Sequence, residues 1–231
     1  MSIRQNLESV RHRIASKARS IGRSPDDITL VAVSKTFGPS HVIEAALAGQ
    51  IHFGENRVQE AEDKIPVVPE SALVWHMIGH LQTNKAKRAL QLFRWIQSVD
   101  SVELLRTLDR YAQALGKKTS VLLQLNLAGE APKSGMAESE LDAALDAAAG
   151  LNTLSLEGLM IIPPFCDDPQ AARPFFRRLA QLLAYSQRRA PSLPLRHLSM
   201  GMTHDFEEAI EEGATILRVG TAIFGPRAPV T

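Results

Sequence analysis

Lys35 is the first residue whose type and position could do chemistry. It follows the run Ile28–Ser34, which is almost wholly apolar and rich in β-branched residues. Such a run is typical of a strand that is buried on both faces. Ligands of α/β proteins bind at the carboxyl ends of strands. A lysine at that place could offer its amine to a carbonyl group, and the alternative is an ordinary charge that extends from the strand end into solvent.

Two loops near the end of the chain could bind an anion. Ser199 and Gly201 lie at the end of one predicted strand, and Gly220 and Thr221 follow the next. The small residues leave backbone amides accessible, and a helix predicted from about His204 would add the positive end of its dipole. The alternative is that the glycines only make turns. Because barrel enzymes often bind phosphate in the loops after strands seven and eight, two such loops favour a phosphate site.

Arg218 is predicted to point inward from the last strand. It shares one strand face with Ile216, while Leu217 and Val219 form an apolar face suited to the helix layer. A buried guanidinium is costly without an acceptor, so either a structural partner such as Glu157 or a ligand ring should face it. An amine, a phosphate site and an inward arginine are together what pyridoxal phosphate requires.

The order of apolar and amphipathic segments predicts the elements that position these residues. Eight runs are predicted to be strands: Ile28–Ser34, Gln50–Phe53, Val74–Ile78, Trp95–Val99, Ser120–Asn126, Leu156–Ile162, Arg196–Met200 and Thr215–Val219. Seven stretches between them are predicted to be helices: Pro39–Leu47, Asn56–Lys64, Asn84–Leu92, Val102–Leu115, Glu138–Ala148, Pro169–Arg189 and His204–Glu211. Strand–helix alternation gives a parallel sheet, and eight strands favour a closed TIM-type (β/α)8 barrel. The alternative, an open doubly wound sheet, lacks its G-x-G-x-x-G motif.

An additional helix is predicted before the first strand. Its apolar stripe consists of Ile3, Leu7, Val10, Ile14, Ala18 and Ile21. No linker or shift in composition divides the chain, so residues 1–231 are expected to form a single domain.

The composition argues against several classes of function. The net charge is +1, from 26 basic and 25 acidic residues, which gives no general attraction to nucleic acid or to an anionic membrane. The sequence has no apolar run of about 18 residues that would span a bilayer. Its one cysteine, Cys166, excludes an internal disulfide, so a reducing, cytoplasmic location is expected.

Seven motifs in order resemble a known family over almost the whole chain. They are V-A-V-S-K at Val31–Lys35, H-F-G-E-N at His52–Asn56, W-H-M-I-G-H-L-Q-T-N-K at Trp75–Lys85, N-L-A-G-E-A-P-K-S-G at Asn126–Gly135, G-L-M-I-I-P-P at Gly158–Pro164, L-S-M-G-M-T at Leu198–Thr203 and R-V-G-T-A-I-F-G at Arg218–Gly225. The chain thereby resembles the YggS/PROSC family of pyridoxal phosphate homeostasis proteins. The resemblance implies a fold like the barrel domain of alanine racemase.

The resemblance also implies roles for individual residues. Lys35 would form a Schiff base with pyridoxal 5'-phosphate, Arg218 would face the pyridine nitrogen, and Asn56 would lie near the ring. The residues implied to hold the phosphate, or to line its loop in the case of Met202, are Ser199, Gly201, Met202, Gly220 and Thr221. Thr203 stands where serine is usual in the family, and His80 stands where proline is common.

These roles predict a carrier or buffer in vitamin B6 homeostasis rather than an enzyme. A cationic guanidinium opposite the pyridine nitrogen disfavours its protonation and makes the ring a poorer electron sink. The alternative, a racemase-like enzyme acting on amino acids, needs a second base, and both tyrosines, Tyr111 and Tyr185, fall in predicted helices. An aldolase that uses Lys35 on a sugar phosphate would also need carboxylates in its pocket.

The expected partners are pyridoxal phosphate and apo forms of enzymes that depend on it, with the chain as a monomer. Lys133 is a candidate secondary docking amine for cofactor in transit.

Overall fold

A closed barrel of eight parallel strands organises the protein. The computed structural model describes residues 2–68, 72–129 and 134–226. Its strands are β1 (Thr29–Val33), β2 (His52–Glu55), β3 (Val74–Met77), β4 (Trp95–Val99), β5 (Thr119–Leu125), β6 (Leu154–Ile161), β7 (His197–Ser199) and β8 (Ile216–Val219). Each strand pairs with the next, and β8 pairs with β1. The predicted (β/α)8 barrel is therefore confirmed.

Helices surround the barrel. They are α1 (Ile3–Ser20), α2 (Pro39–Leu47), α3 (Val58–Lys64), α4 (Ala86–Leu92), α5 (Val102–Leu115), α6 (Leu141–Ala149), α7 (Arg173–Arg189), α8 (Phe206–Glu211) and α9 (Thr221–Phe224). The helix expected from about His204 begins two residues later, at Phe206. The short helix α9 was not predicted, because four residues are too few to show a helical period. None of the helices in the described ranges is long and apolar enough to cross a membrane.

The additional N-terminal helix, α1, packs against α8 and α9. Ser2 caps it in a reciprocal pair with Gln5, which satisfies two backbone donors at its start. The predicted apolar stripe is buried from Ile3 to Ala18. Ile21 is 40% exposed, contrary to the predicted stripe, because α1 ends at Ser20 and the chain turns away.

The barrel interior is filled rather than open. A small buried cluster fills the inside of the barrel, separate from the main core between strands and helices. It consists of Val31, Leu122, Met160 and Ile216. Inward-facing side chains of this kind close a barrel of eight strands to the passage of ligands. A ligand can therefore bind above or below this cluster but cannot pass through it.

Candidate functional site

A cavity of about 560 Å³ lies at the carboxyl ends of the strands. Six of the eight predicted site residues line it: Lys35, Asn56, Met202, Arg218, Gly220 and Thr221. They come from the segments that follow β1, β2 and β7, from β8 itself, and from the start of α9. The parallel barrel brings these distant segments to one mouth, as the sequence predicts.

Lys35 is held by a constrained turn. The next residue, Thr36, has φ of 69°, in the left-handed region that a β-branched residue rarely adopts. Its backbone N–H donates to Glu60 Oε2 at 3.0 Å, which ties the turn to α3. A conformation of this kind persists only where surrounding contacts impose it. The turn therefore fixes the direction in which the chain leaves Lys35.

A buried ion pair supports the end of β1. Lys64 Nζ lies 2.5 Å from Glu55 Oε1 and donates to the backbone oxygen of Ser34 at 2.9 Å. The hydroxyl of Ser34 donates to the same carboxylate oxygen at 2.6 Å. Burial raises the pKa of Glu55, opposed by the charge and hydrogen bond of Lys64. Sequence reasoning missed this pair, since Glu55 had no evident partner.

Thr203 and Thr221 place two hydroxyl side chains in the cavity lining, together with Met202 and Gly220. The Thr203 hydroxyl accepts from the Ala222 N–H at 3.4 Å, which joins the loop after β7 to the first turn of α9. Thr203 was not among the predicted phosphate ligands. Its sequence could have indicated this place, because Thr203 carries a hydroxyl in the same loop, at a family position where serine is usual.

Ser199 and Gly201 do not line the cavity. Ser199 is the last residue of β7, is fully buried, and donates its hydroxyl to Gln97 Oε1 at 2.6 Å. Gly201 has φ of 89°, and a Cβ there would lie 2.6 Å from the Cβ of Ala209 on α8. Gly201 therefore allows close packing of the loop on α8. The role of both residues as phosphate ligands stays a prediction.

Arg218 points into the barrel, as the alternation of β8 predicts. It donates to Ser199 Oγ at 2.5 Å and to the backbone oxygen of Ile161 at 2.7 Å. Burial lowers its pKa to about 10, with the charge of Asp205 acting in the opposite direction. The guanidinium is therefore a cation at neutral pH. The alternative partner, Glu157, is wrong, because that carboxylate accepts from Ser120 and Arg196.

The remaining polar lining consists of amides, imidazoles and Ser134. Gln124 donates to the backbone oxygen of Ser134, and its buried Oε1 has no partner among the described residues. His80 lies at the mouth, with Nδ1 3.0 Å from Asp100 Oδ2. His204 lies beside Phe165, whose ring is 75% exposed. In the described part of the chain, no tyrosine, cysteine, aspartate or glutamate lines this cavity.

Several residues weighed in the sequence lie elsewhere. Tyr185 is on α7 and donates to Asp142, and Tyr111 is on α5. Cys166 is half-buried and does not line the cavity. Lys133 lies outside the described residues.

Comparisons with known proteins place the chain among close relatives. Residues 5–228 match the sequence model of the family described as alanine racemase, N-terminal domain. The chain is 40% identical over 230 residues to the pyridoxal phosphate homeostasis protein of Vibrio cholerae, covering 98% of this chain and 97% of that one. It is 42% identical over 230 residues to the protein of the same name from Escherichia coli K12, covering 97% of each.

A solved structure shares the whole architecture. PipY of Synechococcus elongatus PCC7942, solved with PLP bound, is 39% identical and superposes with a TM-score of 0.86. The match covers 97% of this chain and 100% of that one.

Proposed function

The chain belongs to the family of the alanine racemase N-terminal domain, together with the pyridoxal phosphate homeostasis proteins, and from that premise we propose that it binds pyridoxal 5'-phosphate through Lys35. One observation carries the proposal. The cavity joins the Lys35 amine, the hydroxyls of Thr203 and Thr221, and the cationic Arg218 within one lining.

The lining fits this cofactor chemically. Pyridoxal phosphate supplies an aldehyde that condenses reversibly with a primary amine and releases one water. Thr203 and Thr221 would donate to the phosphate beside Gly220, and Arg218 would face the pyridine nitrogen. Because Arg218 stays positively charged at neutral pH, it disfavours a proton on that nitrogen.

We infer further that the protein holds and releases the cofactor without turning over a substrate. Racemisation needs an acid–base group on each face of the ring. The tyrosines lie away from the cavity, and both imidazoles of its lining already have hydrogen-bond partners. His80 contacts Asp100, and His204 Nε2 lies 2.7 Å from the backbone oxygen of Asp167. The lack of a lining carboxylate among the described residues also disfavours an aldolase. Apo enzymes that need pyridoxal phosphate are the proposed recipients.

The binding proposal is tested by reductive trapping. Purified protein incubated with pyridoxal phosphate should be yellow, and borohydride should fix the cofactor on Lys35, as located by peptide mass mapping. Lys35→Ala should abolish both signals. Lys87→Ala is the matched control, because Lys87 is an exposed lysine on α4 that does not line the cavity. Retention of the yellow colour by Lys35→Ala would refute the assignment.

A second measurement distinguishes a cofactor carrier from an enzyme. The loaded protein is incubated in deuterium oxide with single enantiomers of amino acids, and exchange at Cα is followed by mass spectrometry. We expect no sustained exchange, and transfer of the cofactor to an apo enzyme should restore that enzyme's activity. Continuous Cα exchange would favour the racemase-like alternative.

A further inference from the structure

A chain of hydrogen-bonded side chains runs through the barrel from Arg218 toward the opposite end. Arg218 donates to Ser199 Oγ at 2.5 Å, and Ser199 donates to Gln97 Oε1 at 2.6 Å. Gln97 Nε2 lies 2.9 Å from His76 Nδ1, and His76 Nε2 lies 3.0 Å from His52 Nδ1. His52 begins β2 and lines a groove at the amino-terminal end of the barrel. We call these five residues the interior relay.

The direction of the relay follows from the chemistry of its first member. A guanidinium can only donate, so Ser199 Oγ must accept from Arg218. The single hydroxyl proton of Ser199 then points to Gln97, whose amide oxygen must face it. The opposite orientation of the amide would place two donors on the Ser199 oxygen and leave the hydroxyl proton facing an NH2 group. Such an unsatisfied buried donor is costly.

The same logic assigns the histidine tautomers. With its oxygen toward Ser199, Gln97 presents its NH2 group to His76 Nδ1, which must accept. The proton of His76 therefore lies on Nε2 and is donated to His52 Nδ1, so His52 carries its proton on Nε2. A cationic His76 would add a proton on Nδ1, which would then face the NH2 group of Gln97.

The surroundings of His76 agree with a neutral ring. Burial lowers the pKa of His76 well below its ordinary value, and His52 and His197 add to the effect. Burial also lowers the pKa of His52 and of His197, the latter opposed by Glu157 at 3.8 Å. The Trp95 ring stacks on His76 with centroids 5.6 Å apart and shields it from solvent.

We propose that Gln97 is a positioning residue for Arg218, acting through Ser199, with its own orientation fixed by His76. Arg218 has no carboxylate within salt-bridge distance among the described residues, so its direction depends on the neutral acceptors Ser199 and Ile161. Gln97 holds the Ser199 proton and thereby leaves a Ser199 lone pair for Arg218. The effect on the cofactor rests on the proposed function, whereas the direction of the relay does not.

The positioning role is tested by a double-mutant cycle. Gln97→Met removes both polar groups at similar volume, and Ser199→Ala removes the acceptor. Each should raise the Kd for pyridoxal phosphate by about tenfold, since a hydrogen bond to a charged group is lost or misaligned. The double variant should bind no worse than Ser199→Ala alone, because Gln97 acts only through Ser199. Multiplying losses would overturn the proposal.

Gln50→Met is the matched control. Gln50 is also a buried glutamine, two residues before β2, where it donates to the backbone oxygens of Leu30 and His52, but it does not contact Ser199 or Arg218. It should lower stability without changing the Kd. A Gln97→Met variant that behaves in the same way would reduce Gln97 to an ordinary core residue and overturn the proposal.

The direction of the relay is tested on the cofactor-free native protein. Histidine 15N NMR should show His76 as the neutral Nε2–H tautomer. Gln97→Glu keeps an acceptor for Ser199 but places an oxygen opposite His76 Nδ1, so a proton should move onto Nδ1. An Nδ1–H tautomer in the native protein would overturn the relay. If the NMR spectra are as expected but the protein does not bind pyridoxal phosphate, the proposed function is refuted and the direction of the relay is still supported.

Discussion

Lys64 and Glu55 form an ion pair that is almost completely buried at the foot of the Lys35 turn. The Nζ–Oε1 distance is 2.5 Å, and the two side chains are 6% and 0% exposed. Lys64 also binds the backbone oxygen of Ser34, the residue before Lys35. The pair therefore joins α3, β1 and β2 at the point where β1 delivers its lysine to the cavity.

Lys64→Met should destabilise the protein by about 3–5 kcal/mol, because it leaves the Glu55 carboxylate buried without its cation. The double variant Lys64→Met with Glu55→Met should recover much of this loss, since apolar replacement of both partners is often close to neutral. Urea unfolding measures both changes. Lys87→Met, on an exposed position, should stay within about 0.5 kcal/mol of the parent. A loss of less than about 0.5 kcal/mol for Lys64→Met would contradict the proposed role of the ion pair in stability.

Thr203→Val and Thr221→Val should weaken binding of pyridoxal phosphate by about tenfold each, since valine keeps the shape and removes the hydroxyl donor. Unphosphorylated pyridoxal provides the control ligand, and its weaker affinity should stay unchanged. Fluorescence or absorbance titration gives both constants. An equal loss for the two ligands would indicate that the hydroxyls do not face the phosphate.

Acid should destabilise the fold from about pH 6.5 downward. Burial lowers the pKa values of His52, His76 and His197 from the ordinary value of 6.5. Each ring therefore binds its proton more weakly in the folded than in the unfolded chain. Their contribution to stability is complete above pH 6.5 and is lost as pH falls toward the lowered values.

The measurement is the free energy of unfolding in denaturant at several pH values. It should fall between pH 6.5 and 5, and His76→Gln should reduce that slope. Glu157 acts in a lower window. Burial tends to raise its pKa, but hydrogen bonds from Ser120 and Arg196 lower it overall, so its contribution is lost only below its ordinary value of 4.5. A flat profile down to pH 5 would contradict the histidine assignment.

Gly79→Ala should disturb the site from its rim. A Cβ at Gly79 would lie 2.3 Å from the backbone oxygen of Asn56, so the ends of β2 and β3 must move apart. Overpacking of this kind costs about 1–3 kcal/mol, and displacement of Asn56 should also weaken cofactor binding. Gly38→Ala is the control, because nothing lies within 4 Å of its Cβ position. Thermal unfolding and binding titration together check the pair of variants.

Sequence periodicity predicted the barrel and the inward direction of Arg218, because alternation determines the face on which a strand residue lies. Alternation did not determine how far along the barrel axis each side chain lies. Ser199 was expected at the cavity end of its strand, but β7 pairs it with Ile216, two residues before Arg218. Ser199 therefore lies one layer below the arginine, where its hydroxyl meets Gln97 instead of the cavity.

Contacts between side chains that are far apart in the sequence could not be predicted from it either. Gln97 and Ser199 are 102 residues apart, and no local pattern indicates that β4 and β7 face each other across the barrel. Lys64 appeared as a charge at the end of a helix, and only the packing of α3 on the barrel buries it. Thr203 shows the reverse case, since its hydroxyl was visible in the sequence but its loop geometry was not.

The closure of β8 onto β1 has a kinetic consequence. Four residue pairs join these strands, so the described barrel has no free edge along which the sheet could part. A bound molecule must therefore leave through the loops at the mouth. Loop motions occur in nanoseconds to microseconds, far faster than unfolding of a barrel. The proposed Schiff base on Lys35 must also be hydrolysed before the cofactor leaves, so residence time should depend on that hydrolysis and on groups at the mouth, such as Phe165 and Met202. Two variants with the same melting temperature should therefore release their ligand at different rates when these groups differ.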